Sequence, residues 1–436
     1  MTVPLRRARR ICLVAGAAYA LLLFDWSGRA HPGEPRPLHA LDVSAVLKAG
    51  AARVPLAPPL PVMRPSFRYP VVVATREQDP LEMRALVLRS GGRTVALVLA
   101  DLMVITDDLR QALERSLADL RLDGLVFVAT HTHSSVSGFD SHVAAQVLGL
   151  GPFRPDIAKV IVDRAAEAVR EAERSMVRVQ LRSAETRIRG WAWNRSTPGA
   201  DVDDLLTAVA LDSDAGMRVA TVAVVAAHPT LFPSALPELS ADYPGVAMRL
   251  LEEGGGVALL LQGAEGDAAA PLTGWIGMQA DGAFVAAHVR GALHDARAAG
   301  NRLAFSEVEI ELPGADVRKI GPFLLRRPLS NLLARMLPRT ARVGALTLGD
   351  VLLLTVAGEP TALAAQRMLQ QLPRHLLEER KARVVALAQA YVSYIDAPER
   401  VRDGTGESRR AWYGPDLWGQ VSRGLEVAVE APRSNP

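Results

Sequence analysis

Two histidines stand two residues apart in the segment ATHTHSSVSG, residues 129–138, which follows the apolar run LVFV. Only nine histidines occur among 436 residues, so this pair is the first candidate for chemistry. Side chains alternate in an extended segment, and we therefore expect His131 and His133 to point the same way. Such a pair can bind one metal ion, or one histidine can bind while the other acts as a base. The alternative is an ordinary polar strand end.

Polar residues also follow four other apolar, β-branched runs. They are Asp101 after VALVLA, His228 after VATVAVVAA, Asp267 after VALLLQGAEG and Glu359 after VLLLTVAG. Ligands of α/β sheets bind beyond the carboxyl ends of strands. We therefore expect these residues to meet the histidine pair at one sheet edge, although polar strand ends are common without any function.

Strand-like runs alternate with helical patterns from about residue 84 onward, for example RTVALVLAD, LRQALERSLADL and DIAKVIVDRAAEAVREAERSM. This alternation predicts an α/β fold with mixed β-sheets and helices on the outer faces. We expect one domain over residues 47–425, followed by a tail at 426–436.

The N-terminus has the composition of an export signal. RRARR at residues 6–10 precedes the apolar run ICLVAGAAYALLLF at residues 11–24. This run is shorter than the roughly 20 residues of a membrane span, so a cleaved signal peptide and an uncleaved signal-anchor both stay open for residues 1–30, with a buried core helix as the third reading. We expect an exported, periplasmic or extracytoplasmic protein, membrane-tethered through this segment and a proline-rich tether at residues 31–46.

Charge and cysteine content exclude some functions. A formal net charge of +3, without a basic and aromatic pattern, gives no case for a nucleic-acid partner. The single cysteine, Cys12, excludes an internal disulfide and a cysteine zinc site. Residues 317–342 carry seven Arg and Lys residues and no acidic residue, with leucines at helical spacing. This stripe predicts either contact with an anionic membrane surface or packing on the protein's own core.

Seven short motifs occur in chain order between residues 129 and 399: ATHTHS, WNRS, AHPT, LSADYPG, QGAEGD, AGEPT and AYVSYIDAPE. Together they resemble the neutral/alkaline non-lysosomal ceramidases, zinc amidases that cleave the N-acyl bond of ceramide. The resemblance runs from about Lys48 to about Leu417 and implies the fold of the ceramidase catalytic domain. We expect no counterpart of the immunoglobulin-like C-terminal domain of full-length ceramidases, because the sequence stops at Pro436.

The resemblance implies one zinc ion per chain. His131 and His228 match the two histidine ligands of the family, and Glu359 matches its carboxylate ligand. Tyr394 matches the tyrosine whose hydroxyl approaches the metal; Tyr391 is less favoured, because the family's tyrosine directly precedes the segment that here reads IDAPE. Two imidazoles and one carboxylate leave a position open, as in catalytic zinc sites, although these donors suit several divalent ions.

The resemblance also implies catalytic roles. His133 matches a histidine behind the ligands that could relay a proton, and Arg195 matches the arginine that faces the scissile carbonyl. Arg195 and Tyr394 are expected to stabilise the tetrahedral oxyanion. Zinc lowers the pKa of bound water towards about 7, so the implied nucleophile is a zinc-bound hydroxide. We expect Asp267 to brace its loop and Asp101 to lie behind the ligands.

Several positions depart from the family pattern on the substrate side. Where the family usually shows Gly-Asp-x-Ser-Pro-Asn, the chain reads GDAAAP, with Ala269 at the serine position. A serine nucleophile is therefore excluded there, whereas a zinc-hydroxide mechanism is not. The usual Gly-Pro-Gly-Gly after the histidine pair is replaced by SVSG at residues 135–138, and Glu407 stands where the family has a further active-site tyrosine.

The sequence thus predicts a zinc-dependent hydrolase that cleaves an amide bond of an N-acylated, ceramide-like lipid substrate. Two alternatives stay open. A ceramidase-like protein without catalysis would bind a lipid or envelope partner in the same cleft; Ala269 and Glu407 favour it, and the intact His, Glu, Tyr and Arg set opposes it. A zinc esterase or amidase acting on a non-lipid substrate is compatible with the short chain and the altered loop.

Overall fold

The computed structural model describes residues 32–66, 71–317, 319–320, 323–325, 327–377 and 380–433. The predicted signal segment at residues 1–30 lies outside these ranges. Among the helices in the described ranges, none combines the length and hydropathy of a membrane span.

The longer strands form two mixed sheets. In chain order they are β1 (Arg36–Val43), β2 (Lys48–Pro55), β3 (Glu82–Ser90), β4 (Arg93–Ala100), β5 (Gly124–Ala129), β6 (Val177–Arg187), β7 (Leu205–Ser213), β8 (Arg218–Val225), β9 (Val257–Gln262), β10 (Arg297–Gly300), β11 (Leu303–Glu311), β12 (Thr340–Leu348), β13 (Val351–Thr355) and β14 (Lys381–Val385). Within the loops between these strands, short segments pair as two-residue strands.

The larger sheet has nine strands in the order β9-β8-β7-β6-β2-β3-β4-β5, with β10 paired to β6. Its two ends are parallel pairs, β8 with β9 and β4 with β5, and the strands between them are antiparallel. The sheet curls until these two ends meet: Gln262, at the end of β9, donates from Nε2 to the carbonyl of Thr130 just after β5, at 3.2 Å. The residues that follow β5 and β8 are therefore neighbours.

The smaller sheet has the order β1-β11-β12-β13-β14 and is antiparallel except for the β13–β14 pair. Gln389, which follows β14, covers the free edge of β5. Its side-chain amide donates to the carbonyl of Leu125 at 2.7 Å and accepts from the backbone N–H of Phe127 at 3.0 Å. This contact places the loops after β13 and β14 beside the end of β5.

Ten α-helices are found in the described residues: α1 (Asp107–Ser116), α2 (Val143–Ala145), α3 (Pro155–Arg174), α4 (Asp242–Glu252), α5 (Gly274–His294), α6 (Arg327–Ala334), α7 (Ala362–Gln371), α8 (Arg374–Leu377), α9 (Pro398–Asp403) and α10 (Asp416–Glu430). Helix α3 begins with a proline in its first turn and buries one apolar stripe, including Ile157, Ile161 and Val169, against β2 and β3. Gly50 on β2 permits that approach, because a Cβ there would lie 2.0 Å from the carbonyl oxygen of Ala172.

The predicted α/β fold with mixed sheets and outer helices is confirmed. Two predicted boundaries are wrong. Arg36–Val43, assigned to the tether at residues 31–46, forms β1, and the tail at 426–436 contains the last turn of α10. An edge strand tolerates proline because one side of its backbone is unpaired, and the β1 register shifts at Pro37. Helix α10 continues to Glu430 because Ala428 and Val429 are buried in the core.

The basic stretch at residues 317–342 is helical over α6, as its spacing predicted. Leu333 and Leu337 are buried in the core, whereas Leu329 and Leu332 are 47% and 45% exposed. Core packing therefore accounts for Leu333 and Leu337. Contact of Leu329 and Leu332 with a membrane surface stays a prediction.

The seven basic residues of this stretch are distributed differently. Arg318 and Arg326 lie outside the described residues. Arg342, at its end, forms an ion pair with Glu307 at 2.5 Å and a second with Glu114 at 3.2 Å. This arginine therefore belongs to an internal charge network rather than to a free basic surface.

Candidate metal centre

Three histidines and a glutamate converge where the two sheets meet. His131 follows β5, His228 follows β8 and Glu359 follows β13. Glu359 Oε2 lies 3.0 Å from His228 Nε2 and 3.4 Å from His131 Nε2. His133 Nε2 lies 3.3 Å from His131 Nε2. The structure thus brings together four residues that the sequence placed in one site.

Both candidate histidine ligands are held by their outer nitrogens. His131 Nδ1 donates to the carbonyl of Met103 at 2.6 Å, and His228 Nδ1 donates to the carbonyl of Glu265 at 2.8 Å. Because each Nδ1 carries the proton, each Nε2 is left with a free lone pair directed at Glu359. Histidine ligands of metals are commonly oriented by such a bond. The donor set of two imidazoles and one carboxylate fits zinc.

The histidine pair shares a direction for a reason that the sequence did not indicate. We predicted an extended segment, but His131 lies in a turn with φ 70°, in the left-handed region that a non-glycine residue rarely adopts. Its backbone N–H is fixed by the carbonyl of Leu102 at 2.9 Å. This conformation, rather than strand alternation, brings the rings of His131 and His133 to a centroid distance of 4.7 Å. Backbone strain of this kind is concentrated at functional sites.

Tyr394 and Arg195 lie on one side of the cluster, as predicted. A short parallel strand pair aligns Tyr394 with Glu359, which brings the Tyr394 hydroxyl to 3.2 Å from His228 Nε2. Arg195 donates from Nη2 to that hydroxyl at 2.8 Å and to the carbonyl of Gly266 at 3.1 Å. Glu407 accepts from Arg195 Nε at 3.2 Å and so fixes the guanidinium. Glu407, which departs from the family pattern, therefore orients Arg195, one of the predicted catalytic residues.

Tyr391, the less favoured tyrosine, is also part of the site. Its hydroxyl donates to Glu359 Oε1 at 2.5 Å, while Oε2 of the same carboxylate faces the histidines. Tyr391 and Tyr394 thus act on different sides of Glu359. The sequence signal was the YVSY spacing, which we interpreted as a choice between the two residues rather than as a pair.

Glu265 is a site residue that the sequence analysis missed. Its carboxylate is fully buried, and an oxygen of it lies within 4.8 Å of ligand atoms of both His131 and Glu359. Burial, together with the charge of Glu359, raises the pKa of Glu265 well above its usual range. The available signal was an acidic residue directly after an apolar strand, in QGAEGD, where only the following aspartate drew attention.

The two predicted supporting aspartates differ in outcome. Asp267 braces its loop as expected, accepting from Asn194 Nδ2 at 2.8 Å and from the backbone N–H of Ala362 at 2.9 Å. Asp101 bonds partners other than the candidate ligands. Its carboxylate accepts from the backbone N–H of Glu82 at 2.9 Å and from Arg84 Nη1 at 3.3 Å, because the buried guanidinium compensates its charge.

The electrostatics of the site favour a bound cation. Burial lowers the pKa of His228 to about 4, with a further contribution from the charge of Arg195. Burial and the neighbouring imidazoles also lower the pKa of His133 well below its usual range. Burial opposes ionisation of Glu359, but its close contacts with His131 and His228 outweigh burial and hold that pKa well below normal. Neutral imidazoles and an ionised carboxylate are the forms that bind metals.

A cavity of ≈ 290 Å³ opens beside Arg195. Its lining is polar and consists of Arg195, Ser196, Gly406, Glu407, Arg409 and Arg410. A larger groove of ≈ 660 Å³ runs between β6 and α5, near Lys381 and away from the histidines. The smaller cavity is therefore the relevant approach to the cluster.

The fold and the site together define a class of protein, that of the neutral ceramidase fold with a group of histidine and glutamate side chains that could hold a metal ion. Residues 80–296 match the family model described as neutral/alkaline non-lysosomal ceramidase, N-terminal. This match confirms the family resemblance predicted from the seven motifs.

Solved structures show the same fold over most of the chain. The crystal structure of neutral ceramidase from Pseudomonas aeruginosa matches with a TM-score of 0.79 at 17% identity, covering 90% of this chain and 75% of that chain. A structure described as ceramidase complexed with C2 matches with a TM-score of 0.77 at 17% identity, covering 89% of this chain and 76% of that chain. No curated protein sequence shows a significant match.

Proposed function

We propose that this protein is a zinc-dependent hydrolase that cleaves the amide bond of an N-acylated, ceramide-like substrate. The observation that carries the proposal is the convergence of His131 Nε2, His228 Nε2 and Glu359 Oε2, each oriented by a bond on its outer side. A zinc ion held by these residues would supply a Lewis acid and activate a water nucleophile at neutral pH.

The surrounding residues have separate tasks. His133 is neutral and partly exposed, so it can accept a proton near the cluster and pass it to solvent. Arg195 is placed by Glu407 and points its guanidinium at Tyr394. Burial and the charge of Glu359 raise the pKa of Tyr394 well above normal, which keeps its hydroxyl protonated as a donor. Arg195 and Tyr394 together can stabilise the oxyanion that forms when an amide carbonyl is attacked.

Arg195→Ala is expected to lower kcat for amide cleavage by about 10²–10³-fold, the usual cost of losing one oxyanion donor. Metal content should not change, because Arg195 contacts Tyr394 and Glu407 rather than the three ligands. Steady-state kinetics and metal analysis of the same preparations measure both quantities. Arg402→Ala is the control, since Arg402 is an exposed arginine of α9 outside this cavity and should leave kcat within a few-fold of wild type. An Arg195→Ala enzyme with wild-type kcat would rule out the oxyanion role.

A second candidate is a zinc amidase or esterase that acts on a non-lipid substrate. The polar cavity beside Arg195 favours it, because three of its lining residues are arginines and would accept an anionic group near the scissile bond. Glu407, which we took as a sign of a non-catalytic binding protein, instead orients Arg195 and gives that alternative no support.

The proposal also covers location. We place the hydrolase outside the cytoplasm, tethered by residues 1–30, because a basic flank precedes the short apolar run there. The exposed leucines of α6, Leu329 and Leu332, are the candidate contact with the membrane surface.

The test removes and restores the metal in the purified protein. Metal analysis should find about one zinc per chain, and treatment with a chelator should abolish cleavage of an N-acyl sphingoid substrate until zinc is added back. The same assay with an N-acyl amino acid and with an O-acyl ester separates the two candidates. Cleavage of only the latter two would replace the lipid amidase by the second candidate. Zinc-loaded protein that cleaves none of the three would refute a hydrolase.

A further inference from the structure

Glu265 presents an unusual situation for a buried carboxylate. The residue is 0% exposed, and neither Oε1 nor Oε2 has a hydrogen-bond partner among the described residues. Leaving a carboxylate without partners in the interior costs several kcal/mol, so buried charges are normally paired or coordinate a metal. The Glu265 carboxylate therefore needs a partner, and the described part of the chain does not supply one.

The backbone of Glu265 is fixed in the wall of the metal centre. Its carbonyl accepts from His228 Nδ1 at 2.8 Å and from the backbone N–H of Ala268 at 2.8 Å, and its own N–H donates to the carbonyl of Gly263 at 3.0 Å. The turn that carries Glu265 is thus the one that orients His228. The side chain of Glu265 has correspondingly little freedom to turn away from the site.

The side chain is directed at the same centre as the predicted ligands. One oxygen of Glu265, one nitrogen of His131 and one oxygen of Glu359 all lie within 4.8 Å of one another. Arg195 does not bond this carboxylate; its Nη2 donates instead to the carbonyl of Gly266 and to the hydroxyl of Tyr394. Two carboxylates therefore face one small volume, next to the imidazoles.

We infer that Glu265 is a further ligand of the metal centre, so that two histidines and two carboxylates hold the ion. The inference rests on the metal site of the proposed function and deepens it. A divalent ion supplies the partner that Glu265 lacks, at a position that it shares with Glu359. A second carboxylate also makes the ligand set harder, which favours oxygen-preferring ions such as Mn²⁺ relative to a site with one carboxylate.

The test is calorimetric titration of metal-free protein with Zn²⁺ and with Mn²⁺. Glu265→Gln should weaken zinc binding at least about 100-fold, beyond the 10–100-fold typical of residues behind the ligands, and should weaken Mn²⁺ binding more. Asp281→Asn is the matched control. Asp281 is also buried with an unpartnered oxygen, but it lies on α5 bonded to Trp191, and its variant should bind both ions like wild type.

A crystal structure of the zinc-loaded wild type gives a readout that does not depend on whether a variant folds. An oxygen of Glu265 should lie about 2.0–2.2 Å from the ion. Wild-type affinity in a folded Glu265→Gln protein, or a Glu265 oxygen more than about 3 Å from the ion, overturns the inference.

The possible results separate this inference from the proposed function. If zinc is bound and substrate is cleaved without Glu265 as a ligand, only the inference fails. If Glu265 coordinates the ion and no substrate is cleaved, only the proposed function fails. Wild-type protein that binds neither ion overturns both.

Discussion

His228→Ala protein is expected to retain no zinc after dialysis and to lose all measurable hydrolysis of an N-acyl substrate. His228 contributes Nε2 at 3.0 Å from Glu359 Oε2 and is the link between β8 and the second sheet. Its removal leaves one of two imidazoles, and it also frees the hydroxyl of Tyr394 from its contact at 3.2 Å. Even residues behind a ligand change metal affinity by about 10–100-fold, so the loss of a ligand should exceed that range.

Metal analysis and hydrolysis assays of His288→Ala provide the control. His288 lies on α5, where its Nδ1 bonds the carbonyl of Phe284 at 2.8 Å, away from the cluster. That variant should keep one zinc per chain and wild-type activity. If His228→Ala kept its zinc while remaining folded, the metal would have to be bound elsewhere, and the assignment of the centre would be wrong.

Arg84→Met is expected to destabilise the fold by about 3–5 kcal/mol, the usual cost of breaking a buried ion pair from one side. Arg84 is 0% exposed and forms ion pairs with Glu82, with Asp101 at 3.3 Å and with Glu252 at 3.3 Å. Methionine fills much of the same volume but leaves three buried carboxylates without their shared cation. Urea unfolding of the two proteins measures the difference in free energy.

The same experiment has a predicted pH dependence. Burial raises the pKa of Asp101 to about 6 even though Arg84 opposes the shift. A carboxyl whose pKa is raised in the folded state favours folding at low pH, and that contribution is lost as the pH rises through the folded pKa. Without Arg84 the pKa of Asp101 should rise further. The deficit of Arg84→Met should therefore be larger at pH 8 than at pH 5.

Arg93→Met serves as the comparison for Arg84→Met. Arg93 pairs with Asp123 at 2.9 Å, but its side chain is 59% exposed, and such pairs contribute about 0–1 kcal/mol. Equal losses in both variants, or a deficit at pH 5 as large as that at pH 8, would contradict the role given to the buried network.

The sequence located much of the candidate site because its residues follow apolar strands. His131, His228 and Glu359 each come directly after such a run, and the motifs around Arg195 and Tyr394 added the other side of the site. The expectation of one shared sheet edge was too simple. The candidate ligands come from two sheets, and they meet because the larger sheet curls until Gln262 contacts Thr130. Long-range closure of this kind leaves no local pattern in the chain.

The residues that escaped prediction have roles set by single side-chain contacts. Glu265, Tyr391 and Glu407 are each one polar residue in an otherwise ordinary segment, and only the packed structure shows which carboxylate or guanidinium each one faces. Strand β1 escaped because Pro37, together with Pro32 and Pro35 before the strand, resembles the prolines of a linker. Proline content alone does not separate a linker from an edge strand that pairs on one side.

The side-chain amide of Gln389 bonds the edge of β5 as the backbone of a neighbouring strand would. These bonds help to fix the position of the segment after β14 along β5. Its amide bonds on both sides of Val126, to Leu125 and Phe127, so the segment that continues to Tyr391 and Tyr394 can stop at only one position along β5. A slip of one residue would displace the tyrosines by about 3.3 Å relative to the end of that strand. That displacement is as large as the gap between a hydroxyl and its hydrogen-bond partner. Together with the backbone bonds from Gln389 N–H to Phe127 at 2.8 Å and from Ala129 N–H to Leu387 at 3.2 Å, this amide sets the alignment on which the contacts of both tyrosines depend.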